Sequence, residues 1–323
     1  MKIVKFGGDE RPARVGLVAG EWIIDVHRAD PRIPSDLLEV IEAGPQALDL
    51  LRELGDTIGS VRDDARFPAG AMRLFAPWPR KRIAMAGGNF ADHVLEAGLK
   101  GGVREGQTVE DVYEEIRSEP IWGFWKILDE LTNPGDGLVC PERTRHLDYE
   151  GEVAVVFGRR CRNVKEKDFL QQVWGVTLMN DWSDRTVKFD GKPMSWNLMK
   201  NFDGSATIGP CIVVDELDPQ DVDVQTHVNG DLRQDFNSRD MIFSFAEITA
   251  ALTQDLSFVP GDILAGGTAK GTVVDIVGAT KRWEPDGEKQ FLQPGDLVTV
   301  SSPAIGALTN TVIAGRGADP AKS

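Results

Sequence analysis

The chain has 323 residues, 41% of them apolar and 27% charged, enough for one large domain or a large and a small one with a buried core. Its 51 acidic and 36 basic residues leave a net charge of −15, which argues against nucleic acid or an anionic membrane as the main partner. A small anionic substrate remains open, because one local cation reverses the field inside a pocket.

The three cysteines, Cys140, Cys161 and Cys211, are widely spaced with no CxxC pair, so neither a disulfide framework nor a zinc ribbon is implied. Free thiols in a reducing compartment are the plain expectation. The first ten residues lack the apolar core of a signal peptide, and no run approaches membrane-spanning length. A cytoplasmic protein is expected.

Residues 1–75 read as a small β-rich unit. Short strands are predicted over 2–6, 14–18 and 21–26, with turns at Gly7-Gly8 and Ala19-Gly20. Ser35 is expected to cap a helix over 36–42, and 45–54 reads as a second helix. The joint Ala76-Pro77-Trp78-Pro79-Arg80 then separates this unit from residues 76–323. Beyond it, 83–86 is a short apolar strand ending in Gly87-Gly88-Asn89, with a helix starting near Asp92. Thr108 and Asp111 resemble a capping box for a helix over 108–118, with Val109, Val112, Tyr113 and Ile116 on one face.

The remainder is mostly strand and turn. Strands are predicted over 153–157, 211–214, 222–229, 262–264, 273–277 and 297–300, and a helix over 245–253. Asn229-Gly230 signals a hairpin, and Pro260-Gly261-Asp262 and Pro294-Gly295-Asp296 each read as a tight turn feeding a strand. Residues 318–323 are expected to fray.

Four constellations carry chemistry. Glu150 and Glu152 alternate on one strand, so their carboxylates share a face, and Asp181 lies on a later apolar run. Adjacent anions repel unless a cation sits between them, and a hard divalent ion is the simplest such partner. The same spacing also fits a solvated strand face with Asp181 capping a turn. His93 and Glu96 share a helical face, a pairing that suits a general base acting on water but also an ordinary surface pair. Arg185 and Lys200 either bind a substrate carboxylate or enolate or are surface cations. Finally, Gly266-Gly267-Thr268-Ala269-Lys270-Gly271 permits close backbone approach, although by itself it reads first as a plain strand-linking turn. There is no Walker motif, GxSxG elbow, HExxH pair or GxGxxG loop.

Taken in order, these segments resemble the fumarylacetoacetate hydrolase superfamily over most of residues 80–315. The matching motifs are Asn89-Phe90-Ala91-Asp92-His93-Val94-Leu95-Glu96, Asp148-Tyr149-Glu150-Gly151-Glu152-Val153-Ala154 and Asn180-Asp181-Trp182-Ser183-Asp184-Arg185. Val228-Asn229-Gly230 through Gln234, Pro260 through Gly271, and Gly306-Ala307-Leu308-Thr309-Asn310-Thr311-Val312 complete the series.

The resemblance implies a mostly β, α+β fold: a mixed β-sandwich roll of that superfamily's C-terminal type, with a small β-rich N-terminal domain over 1–75 and a catalytic domain over 76–323. It implies that Glu150, Glu152 and Asp181 ligate magnesium or manganese, with calcium possible in crystals. His93 and Glu96 would form a water-activating dyad on a mobile lid. Lys200 would support the metal site, and Arg185, Thr268 and Gly267 would contact substrate. A homodimer acting on a small anionic 2-oxo acid is implied, with no nucleic-acid or membrane partner.

The reaction expected first is hydrolysis of a C–C bond in an acylpyruvate or diketo acid, through a metal-stabilised enolate, in aromatic- or sugar-acid breakdown. Decarboxylation, tautomerisation or isomerisation, and hydration use the same site, and a non-catalytic metabolite-binding homologue is a further alternative. Three departures bear on the substrate. Lys188 stands where family members often carry Gln, Ala269 replaces a common proline, and the segment between Gly98 and Pro120 is unusually long.

Overall fold

The computed structural model describes residues 1–8, 13–99, 105–186, 195–280 and 287–315. Lys188, residues 100–104 of the long segment and the 318–323 tail therefore lie outside the described residues.

The strands are β1 (Lys2–Gly7), β2 (Arg14–Ala19), β3 (Trp22–Asp25), β4 (Arg66–Pro68), β5 (Arg73–Phe75), β6 (Arg82–Ala86), β7 (Gly123–Ile127), β8 (Gly137–Val139) and β9 (Leu147–Asp148). They continue with β10 (Gly151–Phe157), β11 (Val173–Asp181), β12 (Ser183–Asp184), β13 (Ala206–Val213), β14 (Asp223–Val228), β15 (Asp231–Asn237), β16 (Ile263–Ala265), β17 (Leu297–Ser302) and β18 (Gly306–Ile313). One large mixed sheet runs β4-β3-β2-β1-β13-β11-β10-β16-β6-β7, with β5 also on β1. A second sheet runs β15-β14-β17-β18-β8, and β9 pairs with β12. This is the sheet-rich α+β architecture that the sequence implied. Among the described residues no helix is long and apolar enough to cross a membrane.

β10 shows why the apolar runs fold this way. Val153, Val155 and Phe157 pack with Val176, Leu178, Val224, Val300 and Leu308, in the core between the two sheets. Ala154 and Val156, of opposite parity, pack with Val40, Leu51 and Ile263. The helices Leu37–Glu42 and Pro45–Asp56 contribute to that second core. A strand buried on both faces needs a continuous apolar run, as 153–157 has.

Most predicted elements are present with small shifts of boundary. The Asn229-Gly230 turn closes the β14–β15 hairpin, both residues having positive φ. The cap of the Leu37–Glu42 helix is Asp36 rather than Ser35: its carboxylate accepts from the N–H groups of Leu38 (2.8 Å) and Glu39 (3.2 Å). A charged acceptor there also favours the positive end of the helix.

One prediction fails outright, because 273–277 is not a strand but the start of the helix Val273–Thr280. Thr272 donates through both N–H (3.0 Å) and hydroxyl (2.9 Å) to the Asp275 carboxylate, which fixes the first turn. The β-branched run then buries Val273, Val274 and Val277 at helical spacing.

The helix Val109–Arg117 has the reciprocal Thr108–Asp111 capping box. Val112 and Ile116 are buried with Ala91, Val94 and Ile242, against the helix Ala91–Glu96, whereas Val109 is exposed. Arg117 ties it down further, donating to Ile242 O (3.1 Å) and to Glu247 Oε1 (2.7 Å).

The buried side chain of Asn89 secures the turn after β6. Its Nδ2 donates to Phe243 O (3.0 Å) and Gly266 O (2.9 Å), and its Oδ1 accepts from Phe243 N (2.8 Å). Asn89→Ala leaves these groups without partners in the interior. It is expected to lower stability by about 3 kcal/mol in urea denaturation; an unchanged midpoint would show that the clamp contributes nothing.

Candidate active site

The site grows out of the β10–β11 register. Gly151 pairs with Asn180, and Asp181 N donates to Glu150 O at 2.8 Å, which sets Glu150 and Asp181 side by side at the strand ends. Asn180 Oδ1 accepts from Glu150 N (3.0 Å) and Gln234 Oε1 from Gly151 N (3.0 Å), so the backbone between the glutamates is held from two sides. Carboxylate oxygens of Glu150, Glu152 and Asp181 lie within 4.8 Å of one another, and all three residues are buried.

Three basic side chains enter this cluster. Lys200 Nζ donates to Glu150 Oε2 (2.6 Å), Asp181 Oδ2 (2.7 Å) and Ser183 Oγ (2.7 Å). Lys126 Nζ donates to Asp181 Oδ1. Arg185 bridges Glu150 Oε1 and Asp148 Oδ2, the latter at 3.1 Å through Nε. Asp148 also accepts from the N–H groups of Val273 (2.8 Å) and Val274 (3.2 Å).

These contacts shift the titrations. Burial opposes ionisation of Glu150, but Lys200 and then Arg185 outweigh it and hold the carboxyl well below its usual range. Burial pushes Glu152 well up, and the Asp181 and Glu150 charges push it further. Burial lowers Lys126, whereas in Lys200 the Asp181 and Glu150 charges overcome burial and raise the pKa.

Among the described residues no ammonium or guanidinium lies within ion-pair distance of Glu152; it accepts the Gly267 N–H at 2.9 Å. Four carboxylates, Asp148, Glu150, Glu152 and Asp181, thus face three cations. The donor set is all oxygen, convergent and one positive charge short, which fits a hard divalent cation.

The other anticipated residues divide. His93 and Thr268 border the same cavity as the triad, a space of about 30 Å3 also walled by Leu99, Trp122, Phe124 and Trp196. Trp196 packs on Trp122 (5.0 Å between ring centroids) and on Phe124 (5.6 Å), and Lys200 Nζ lies 5.5 Å from the Phe124 ring. The Thr268 hydroxyl donates to Gly151 O (2.9 Å) and accepts from Gln234 Nε2 (2.8 Å), so it pins the loop to β10. Gly267 has φ +92, a conformation that aims its N–H at Glu152.

His93 and Glu96 share a helix, but the carboxylate against the imidazole is Asp275: Nδ1 lies 2.8 Å from Asp275 Oδ1. Glu96 Oε1 lies 3.8 Å from Lys270 Nζ instead. Burial disfavours a charged His93 ring, yet Asp275 outweighs it and the pKa is raised. Lys126, Asp148, Gln234 and Asp275 were missed as site residues from sequence. The available signals were a lysine inside an apolar strand and an aspartate inside an apolar run.

Lys126→Met is expected to lower stability by about 3 kcal/mol in urea without divalent cation, since it leaves Asp181 short of a charge partner in the interior. Millimolar Mg²⁺ should recover part of the loss. Wild-type stability in both conditions would overturn the charge balance described here.

Comparison with known proteins agrees with this geometry. The sequence model for "Fumarylacetoacetate (FAA) hydrolase C-terminal" matches residues 82–313. An oxaloacetate tautomerase of Xenopus laevis, a mitochondrial protein, is 29% identical over 97% of this chain and 90% of its own length. The oxaloacetate tautomerase YisK of Bacillus subtilis (strain 168) is 30% identical over 92% of this chain and 95% of its own. Among solved structures, a fumarylacetoacetate hydrolase from Exiguobacterium antarcticum superposes with a TM-score of 0.74 at 29% identity, covering 97% of this chain and 99% of that one. A maleylpyruvate hydrolase from Sphingobium sp. SYK-6, in complex with manganese (II) ion and pyruvate, shares the fold (TM-score 0.70, 23% identity, 98% of this chain and 100% of that one). With the family's sequence pattern running through both sheets and the buried acidic cluster, this chain belongs to the fumarylacetoacetate hydrolase superfamily.

Proposed function

We propose that this protein catalyses keto–enol tautomerisation of a small 2-oxo dicarboxylic acid of the oxaloacetate type. The observation that carries this reading is the narrow cavity of about 30 Å3 in which three carboxylates and His93 meet under a wall of Trp122, Phe124 and Trp196. It has room for about one water molecule, so the wall must give even for a four-carbon acid, and further for a long acyl chain. The names of the Xenopus and Bacillus relatives support the same choice.

Magnesium or manganese held by Glu150, Glu152 and Asp181 would supply Lewis-acid polarisation of a 2-oxo group. Lys200 binds Glu150 and Asp181, and Arg185 binds Glu150, so both carboxylates are held pointing inward. With a divalent ion added to three basic side chains and four carboxylates, the site carries one net positive charge, which attracts an anionic acid into an otherwise acidic protein. His93 takes the proton from the carbon beside the oxo group and returns it to the oxo oxygen, so substrate and product have the same atoms. Trp122 and Trp196 limit water and substrate length.

Hydrolysis of an acylpyruvate is the second reading. It is favoured by the carboxylate-backed imidazole, which suits activation of water as well as abstraction of a carbon-bound proton, and by Glu96 one helical turn away.

Both readings are tested by following the enol absorbance of oxaloacetate and the decay of acylpyruvates with Mg²⁺ or Mn²⁺ present. Tautomerisation is expected to dominate, to vanish with chelator or Glu150→Ala, and to fall roughly 10²–10⁴-fold in His93→Ala. Full activity in chelator would overturn the proposal. Trp196→Ala is expected to raise kcat/KM for an acylpyruvate relative to oxaloacetate; an unchanged ratio would remove the size argument.

A further inference from the structure

We propose that the groove between the loop after β10 and the start of the helix Pro45–Asp56 is a binding site for a small anion carrying two or more phosphate groups. The first observation is charge. In a chain of net charge −15, residues 159–167 hold five cations, Arg159, Arg160, Arg162, Lys165 and Lys167, and one acid, Glu166. Arg162 is paired with Asp255 (2.8 Å), and Arg160 donates to Ser257 Oγ (3.2 Å). Among the described residues no carboxylate lies within ion-pair distance of Arg159, Arg160, Lys165 or Lys167. Unpaired like charges repel one another, and on an otherwise acidic surface they mark a place that attracts an anion.

The second observation is shape. Arg159 and Arg160 border a cavity of about 440 Å3. Arg160 and Gln171 also border a second one, of about 540 Å3, whose wall carries Arg162, Lys165 and Lys167. The two spaces form one trough with cations along its length. The acids on its walls are Glu42, taken up by Arg80 (2.9 Å), and Asp168. Guanidinium forks bind phosphate oxygens two at a time, so a row of cations suits an anion with more than one phosphate.

The first cavity adds donors that do not depend on exposed side chains. Gly44, Pro45 and Leu48 wall it at the start of the helix Pro45–Asp56. No side chain caps that helix, so its first N–H groups are open to an anion. Trp174, only 4% exposed, lines the same cavity, and its Nε1–H has no partner. The Cδ1 side of the indole, next to Nε1, faces Gly158 on the cavity wall: a Cβ there would lie 3.5 Å from Cδ1. A buried donor without an acceptor, cations without acids and an uncapped helix thus meet, and a phosphate group satisfies all three.

The trough is separate from the acidic cluster. The loop leaves β10 beyond Phe157, which pairs with Val173, whereas Glu150 and Asp181 stand at the other end of the β10–β11 pair. The seven residues of β10 put about 20 Å between the two places. An anion bound there ties the amino-terminal helix to the central strands of the large sheet.

The experiment is calorimetric titration of the full chain with pyrophosphate and with inorganic phosphate. EDTA is present throughout, so that no divalent ion recruits either anion to the acidic cluster. Pyrophosphate is expected to bind with a dissociation constant of about 1 mM or below, at least roughly tenfold tighter than phosphate. Arg159→Ser combined with Arg160→Ser should weaken it roughly tenfold or more and leave the urea midpoint unchanged. Arg239→Ser, which removes an exposed arginine paired with Asp221, should leave the affinity as it was. In ¹H–¹⁵N correlation spectra the Trp174 indole signal, identified by its loss in Trp174→Phe, should move during the titration.

Equal affinity in the wild type and the double arginine variant would overturn the proposal, and so would no binding at about 10 mM pyrophosphate. A Trp174 indole signal that stays in place at saturation would overturn it without any arginine variant. Phosphate binding as tightly as pyrophosphate would remove the assignment to an anion with two phosphate groups.

Discussion

The structure depends on one electrostatic problem: three carboxylates held within 4.8 Å of one another in a buried place. Such a cluster is unfavourable in isolation, because each ion loses its water and repels the next. The surrounding chain is arranged to compensate. Lys126 arrives from β7, Lys200 from the helix Trp196–Lys200, and Arg185 from just after β12. Arg185 in turn is held by Asp148, which also receives the first N–H groups of the helix Val273–Thr280. The charge network thus reaches from the acidic cluster to the helix that meets His93.

Much of this was legible in the sequence, for identifiable reasons. The parity of Glu150 and Glu152 and the two-sided apolar run that follows them define a strand buried on both faces, and the structure places it at the centre of the large sheet. The capping box at Thr108 and the turn at Asn229-Gly230 are local signals with local outcomes.

What escaped depends on charge compensation across distant segments. In β7 the hydropathy order is inverted: Ile127 is 72% exposed and Lys126 is fully buried. Side-chain alternation alone would put the lysine outside, and only the Asp181 carboxylate, 55 positions later, reverses it. Val273–Thr280 failed for a related reason. Its β-branched residues read as a strand, and the polar pair that decides otherwise, Thr272 with Asp275, is the one interruption in the run. Glu96 was likewise paired with His93 by helical spacing, while Asp275 is visible only once two helices are packed together.

The pairing of β1 with β13 has a consequence for how the protein can be divided. Lys2 and Ile3 lie opposite Val213 and Ile212, and β13 is also the neighbour of β11, which ends in Asp181. The amino-terminal strands are therefore the outer half of the same hydrogen-bonded layer that bears the acidic cluster. Removing them would bare a row of unsatisfied N–H and C=O groups along β13, an adhesive border prone to intermolecular association. The two portions of this polypeptide therefore have to be engineered together.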